Sequence, residues 1–154
     1  MKNSRLTLAL AAGLAVTVFA APAAAETWKL NSEGGNHKSY IDADSLSRSG
    51  TTAKVREMKL YSPAEVFQGQ STRAWVINYD VDCTAGTYST KRAEIFDDAG
   101  KVIMASDLDG GPRKPNPGTV GEDMINTACG RTSLPAGAGS DRDSLIRAAV
   151  AGRL

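Results

Sequence analysis

From Trp75 to Cys83 the chain alternates without a break: Trp75, Ile77, Tyr79, Val81 and Cys83 take the odd positions, Val76, Asn78, Asp80 and Asp82 the even ones. Successive strand side chains point to opposite faces, so this run predicts a strand whose odd face meets a core while Asp80 and Asp82 meet water. The same period of two extends over much of the chain between Glu26 and Cys129. Thr27 to Asn31 and Lys38 to Ala43 read as short strands joined by a Gly-rich turn in "SEGGNH". Turn residues fill Asp42 to Gly50, and a third strand follows from Thr52 to Tyr61. Within it Val55 has one parity and Met58 and Leu60 the other, which predicts a β-bulge near Arg56 and Glu57 that returns them to one inward face. Ser62 to Ser71, with Pro63 and Gly69, reads as a surface loop. After a tight turn at Ala85 and Gly86, strands over Thr87 to Phe96 and Lys101 to Ser106 flank a hairpin on "DDAG".

Two segments break this period. The stretch Asp107 to Gly118 carries three prolines and three glycines and reads as an irregular crossing. It leads to Thr119, which can cap a short helix with Glu122 and Asp123 in its first turn; Cys129 ends that helix, and Gly130 supplies a left-handed stop. Past Cys129, "GRTSLPAGAGS" reads as a flexible connector. Ser140 or Asp141 then caps a terminal helix whose stripe of Leu145, Ile146, Ala149 and Val150 leaves Arg142, Arg147 and Arg153 elsewhere. Such a stripe predicts a helix docked on the open face of the sheet; a helix that meets a partner or a membrane surface is the alternative. The expected fold is α+β: a single antiparallel meander of about six strands with a short helix before the second cysteine and a C-terminal helix.

The first 25 residues stand apart. Lys2 and Arg5 precede an apolar run from Leu6 to Ala21, and "PAAAE" offers small residues, which together predict a signal peptide over residues 1–25 with cleavage between Ala25 and Glu26. The run of about 16 residues falls short of the roughly 20 that span a bilayer, so stable membrane insertion is not expected. No cysteine follows the cleavage point to carry a lipid. The expectation is an exported protein of the periplasm or cell surface, with one domain over 26–130 and a connector and helix over 131–154. Losing Lys2 and Arg5 takes the 18 basic residues of the 154-residue chain to 16 against 17 acidic ones, a balance that supports no long-range attraction to nucleic acid or anionic membrane.

Export also changes the reading of the two cysteines, because an oxidising compartment favours a disulfide. Cys83 to Cys129 closes a loop of about 47 residues, worth roughly 4 kcal/mol by the chain-entropy relation. A catalytic thiol would want His37 as its base, and that residue lies in a Gly-rich turn; a zinc site would need three or four N/S ligands, and with the cysteines bonded His37 is alone. A Ser/His/Asp triad has no nucleophile elbow, the acids of "DDAG" beside Glu94 are turn formers before they are a glycosidase pair, and "DLDGGP" has its glycines too early for a calcium loop. No catalytic residue, metal or cofactor is expected.

Taken in order, Trp28, "SYIDADSLSRSG", "WVINYDVDC", "TYSTKRAEIFDDAGKVI" and "PNPGTVGEDMINTACG" resemble the surface-adhesin protein E family of Gram-negative bacteria, from about Trp28 to Gly130. The resemblance implies a small antiparallel sheet with a packed helix, a Cys83 to Cys129 disulfide, a homodimer, and binding of extracellular matrix proteins such as vitronectin and laminin, an activity that need not travel with a fold. Family adhesion goes with basic and aromatic surface loops. Here the candidates are Lys54, Arg56 and Lys59 on one strand and Arg113 with Lys114 in the Pro-rich crossing, set against the plainer reading of an alternating basic strand as a solvated face. Two functions follow: a non-enzymatic module that binds a protein ligand, or an envelope protein that self-associates through its terminal helix and has no host ligand.

Overall fold

The structure is a computed structural model and describes residues 26–154; the predicted signal peptide, residues 1–25, lies outside the described residues. Strands β1 (Trp28–Gly34), β2 (His37–Asp42), β3 (Ser47–Ser49), β4 (Thr52–Phe67), β5 (Gln70–Asp82), β6 (Thr87–Phe96) and β7 (Val102–Asp107) are followed by helices α1 (Val120–Ala128) and α2 (Arg142–Val150). All strands join one antiparallel sheet in the order β1-β2-β4-β5-β6-β7, with β3 paired to β4. Apart from β3, chain neighbours are therefore sheet neighbours, the meander expected from the alternation. The strand β3 was not expected; it lies inside the predicted turn and pairs Ser47 with Lys54 and Ser49 with Thr52.

The bulge predicted near Arg56 and Glu57 is absent. Pairing between β4 and β5 runs unbroken from Thr52 opposite Asp82 to Leu60 opposite Ala74. The parity of Val55 and that of Met58 and Leu60 differ because both faces of the sheet are covered. Ala53, Val55, Ile77, Tyr79 and Val81 pack with Met124, Ile125 and Ala128 of α1. Met58, Leu60, Ala74 and Val76 pack with Trp28 and with Leu145, Ile146 and Ala149 of α2. A strand with a helix on each face needs apolar residues at both parities, so the conflict disappears without an inserted residue. Asp80 and Asp82 are exposed as predicted, at the end of the even face that α2 does not reach.

Ser62 to Ser71 is not a loop. β4 continues to Phe67, β5 starts at Gln70, and Glu65, Val66 and Phe67 pair with Thr72, Ser71 and Gln70 around Gln68 and Gly69, both at positive φ (50° and 77°). That is the backbone a two-residue hairpin requires, and Gly69 adopts it without steric cost. The register shifts between Leu60 and Glu65, which places Pro63 in the irregular stretch where its missing N–H breaks no ladder bond. Arg73 braces the shift, donating from Nη1 to the Tyr61 carbonyl at 3.0 Å and from Nε to Asp98 at 2.7 Å.

The start of α1 differs from expectation in the atoms that cap it, and that of α2 takes one of its two expected caps. Thr119 is the N-cap of α1, but its hydroxyl donates to the Asn116 carbonyl (2.7 Å), and the Glu122 carboxylate turns back to accept the Gly118 N–H (2.7 Å). At the other end Cys129 and Gly130, with φ of 73°, close the helix as predicted. Asp141 caps α2, accepting from the Ser144 N–H at 2.8 Å and the Ser144 hydroxyl at 2.6 Å. Ser140 has a different use: its backbone bridges that of Trp28 at 2.9 and 3.0 Å, so the segment read as a flexible connector ends as an addition to the β1 edge. The approach is close enough that a Cβ on Gly139 would stand 2.6 Å from Thr27 Cγ2, which only glycine avoids. Of the predicted stripe, Leu145, Ile146 and Ala149 are buried against the sheet, while Val150 remains 50% exposed.

Candidate functional site

Cys83 and Cys129 form a disulfide with Cα atoms 5.5 Å apart, linking the end of β5 to the C-cap of α1. The joint is reinforced on both sides. The Cys83 N–H donates to the Thr51 carbonyl (2.8 Å), the Cys83 carbonyl accepts from Arg131 Nη2 (2.6 Å), and Arg48 donates to the Ala128 and Thr127 carbonyls. The odd face of the sheet and α1 thus form one cross-linked body.

The three basic residues of β4 do not share a surface. Lys54 and Arg56 lie on the even face, Lys59 on the odd face, because no bulge intervenes. Arg56 is held inside the fold: Nη1 is 2.6 Å from Glu26 Oε1 and 3.6 Å from Asp42 Oδ2, Nη2 is 3.7 Å from Glu94 Oε2, and the guanidinium lies 5.3 Å from the Trp28 ring centroid. Partial burial pushes the Glu26 carboxyl up, but hydrogen bonds from the Trp28 indole and Arg56, with the charges of Arg56 and Arg142, hold it below the usual carboxylate range. The residue just after the predicted cleavage point is therefore a structural ligand of Arg56. Of this group Lys54 alone is exposed; it borders a shallow polar face with Thr52, Asp80, Asp82 and Ser89, where the two depressions measure about 300 Å³ each.

Arg113 and Lys114 separate in the same way. The backbone of Arg113 bridges Tyr88 on the free side of β6 (2.8 and 2.9 Å), fixing the Pro-rich crossing against the sheet, with both side chains exposed. Lys114 opens a groove of about 410 Å³ that runs between Lys114 to Pro117 on one wall and Ile125, Asn126 and Arg131 on the other. Arg131 did not figure in the sequence reading; its place beside a helix stop gave it no distinguishing signal, and the disulfide brings it to the crossing.

Glu57 and His37 are among the ionisable groups perturbed on the odd face. Glu57 is 1% exposed; burial pushes its carboxyl up, against the Lys59 charge and hydrogen bonds with Ser39 (Oγ to Oε1, 2.6 Å) and Tyr79. The break in alternation that sequence reasoning explained by a bulge was the signal of this buried acid. Burial and the charge of Lys59 push His37 down, and its ring packs 5.4 Å from that of Tyr61. Its Nδ1 faces Asn36 Oδ1 at 3.4 Å. Among the described residues no group of three or more His, Cys, Asp or Glu gathers to hold a metal ion, and no helix is long and apolar enough to cross a membrane.

A family model described as surface-adhesin protein E matches residues 28–130. The crystal structure of protein E from non-typeable Haemophilus influenzae is similar over 90% of this chain and 95% of that one, with 12% sequence identity and a TM-score of 0.45. No curated protein matches the chain in sequence.

Proposed function

The chain belongs to the surface-adhesin protein E family, and from that premise we propose that it is an exported, non-enzymatic binding module of the cell envelope whose ligand is another protein, of the extracellular-matrix kind. The family match over 28–130 carries this reading. It is supported by a rigid, disulfide-linked platform and by exposed cations scattered over loops, both sheet faces and α2, which suit local contacts to a protein surface better than long-range capture of a polyanion. No cofactor enters the proposal. Solid-phase capture of vitronectin and laminin by the purified chain, with antibody labelling of intact cells, tests it; absence of capture together with labelling only after the outer membrane is permeabilised would sink it.

The alternative, an envelope protein that self-associates through its terminal helix, draws no support from α2. Three of the four stripe residues already cover Met58, Leu60 and Trp28, leaving Val150 as the sole exposed member.

A further inference from the structure

We propose that the groove between the Pro-rich crossing and α1 docks an extended, acidic segment of a partner protein. The proposal deepens the reading of the chain as a protein-binding module and rests on it. Four observations converge on the groove. First, Lys114 and Arg131 border it, and among the described residues neither has a carboxylate within 4.0 Å. The carboxylate of the lining, Glu122, is engaged with the Gly118 N–H at 2.7 Å. Second, Arg131 is oriented: Nη2 donates to the Cys83 carbonyl at 2.6 Å and Nη1 to Asn126 Oδ1 at 3.3 Å. A guanidinium has further N–H donors beyond these, in a planar array that suits a carboxylate. Third, the opposite wall holds Pro115 and Pro117, whose fixed φ leaves little freedom to lose when a ligand is bound. Fourth, the rings of those two prolines give the groove its accessible apolar surface, Ile125 beneath being buried at 2% exposed, while Asn116 and Asn126 bring side-chain amides to it, so a peptide finds both an apolar face and partners for its backbone.

Charge complementarity selects the occupant. Two cations with one engaged carboxylate beside them suit a segment presenting one or two Asp or Glu residues. They do not form the continuous basic surface that a nucleic acid or an anionic bilayer requires. The disulfide matters here as a builder: it sets the end of β5, and with it the carbonyl that positions Arg131, against the end of α1.

The test uses the purified chain and an unlabelled hexaglutamate peptide, followed by backbone amide shifts at low ionic strength, with hexaserine as control. The expected result is saturable shifts confined to residues 114–118, 122–126 and 131, absent with hexaserine and weakened by salt. Lys114→Glu, at a side chain without a hydrogen bond among the described residues, is expected to weaken binding about fivefold, Arg131→Gln similarly, and Lys54→Glu not at all. Shifts centred on Lys54 and the polar sheet face, equal response to hexaserine, or shifts that follow protein concentration alone overturn the groove. Should matrix proteins be captured while hexaglutamate is not bound, the groove falls and the proposed function stands. Hexaglutamate binding without matrix capture leaves the groove and removes the matrix ligand.

Discussion

Arg48 donates from Nε to the carbonyl of Ala128 at 2.6 Å, so a side chain of β3 caps the last turn of a helix 80 positions further along the chain. Its Nη2 reaches the Thr127 carbonyl at the same distance. The last turn of α1 contains no basic residue of its own. The cation supplies what the helix lacks, a donor for the Ala128 carbonyl and a positive charge at the negative end of the dipole, and adds a second donor to the Thr127 carbonyl, which also accepts the Gly130 N–H at 3.1 Å.

Arg48→Ala is therefore expected to lower stability by about 1–2 kcal/mol, read from urea unfolding at unchanged m-value. Arg48→Lys should recover only part of this, because a lysine cannot serve both carbonyls with a planar fork. Equal stability of all three chains would remove the cap from the account.

The cross-link makes a larger claim. Cys83 and Cys129 are 46 positions apart, and breaking the bond is expected to cost about 2–5 kcal/mol. For a small domain whose total is about 5–15 kcal/mol, the reduced chain should be close to its unfolding midpoint at 37 °C. Intact-mass measurement of the chain from the native envelope, with and without reductant in the presence of a thiol reagent, checks the bond itself: no alkylation before reduction, two additions after it.

Two carboxyls give opposite pH dependences. Glu57 is pushed up from 4.5 by burial, so the fold keeps its proton where the unfolded chain has released it. Its contribution is fully favourable below the unfolded value and is lost as pH rises through the folded one. Glu57→Gln should flatten that slope and raise stability at neutral pH relative to the parent, as seen in unfolding midpoints between pH 4 and pH 8. Glu26 is held below its ordinary 4.5, with Trp28 and Arg56 prevailing over burial. Its contribution is present above the unfolded value and disappears as pH falls through the folded one. Glu26→Gln should therefore weaken the fold near neutrality and narrow its difference from the parent in acid.

Arg56 and Lys54 are neighbours on one face with different roles. Arg56→Ala breaks a partly buried ion network and is expected to cost about 1–3 kcal/mol, whereas Lys54→Ala should stay within about 0.5 kcal/mol. Loss of ligand capture in an Arg56 variant has to be compared at matched folded fraction before it marks a contact.

Truncation before Ser140 removes α2 and uncovers Met58, Leu60, Val76 and Trp28. The expected outcome is a lower thermal midpoint and binding of a hydrophobic dye, without conversion of a dimer to a monomer. A truncated chain of undiminished stability that merely changes stoichiometry would put the self-associating alternative in first place.

The alternation of Trp75 to Cys83, the hairpin after Phe96, the helix ending at Cys129 and the capping acid at Asp141 were all legible from the chain. Each is settled by rules acting within a few residues: the pleat of a strand, the left-handed freedom of a glycine, the orphan N–H groups of a helix start. Glu57 shows where such rules stop. Its neighbours break parity, and nothing local says whether the break means an inserted residue or a second covered face. Docking of α2 opposite α1 chose the latter, because apolar area on both sides of β4 is removed from water only when each side has its own helix. The pairing of Glu65 to Phe67 with Gln70 to Thr72, the capture of Arg56 by Glu26, the Arg48 cap and the meeting of Lys114 with Arg131 belong to the same class. They join residues far apart in the chain or override a proline's local preference, and were settled when the sheet, the crossing and the two helices packed.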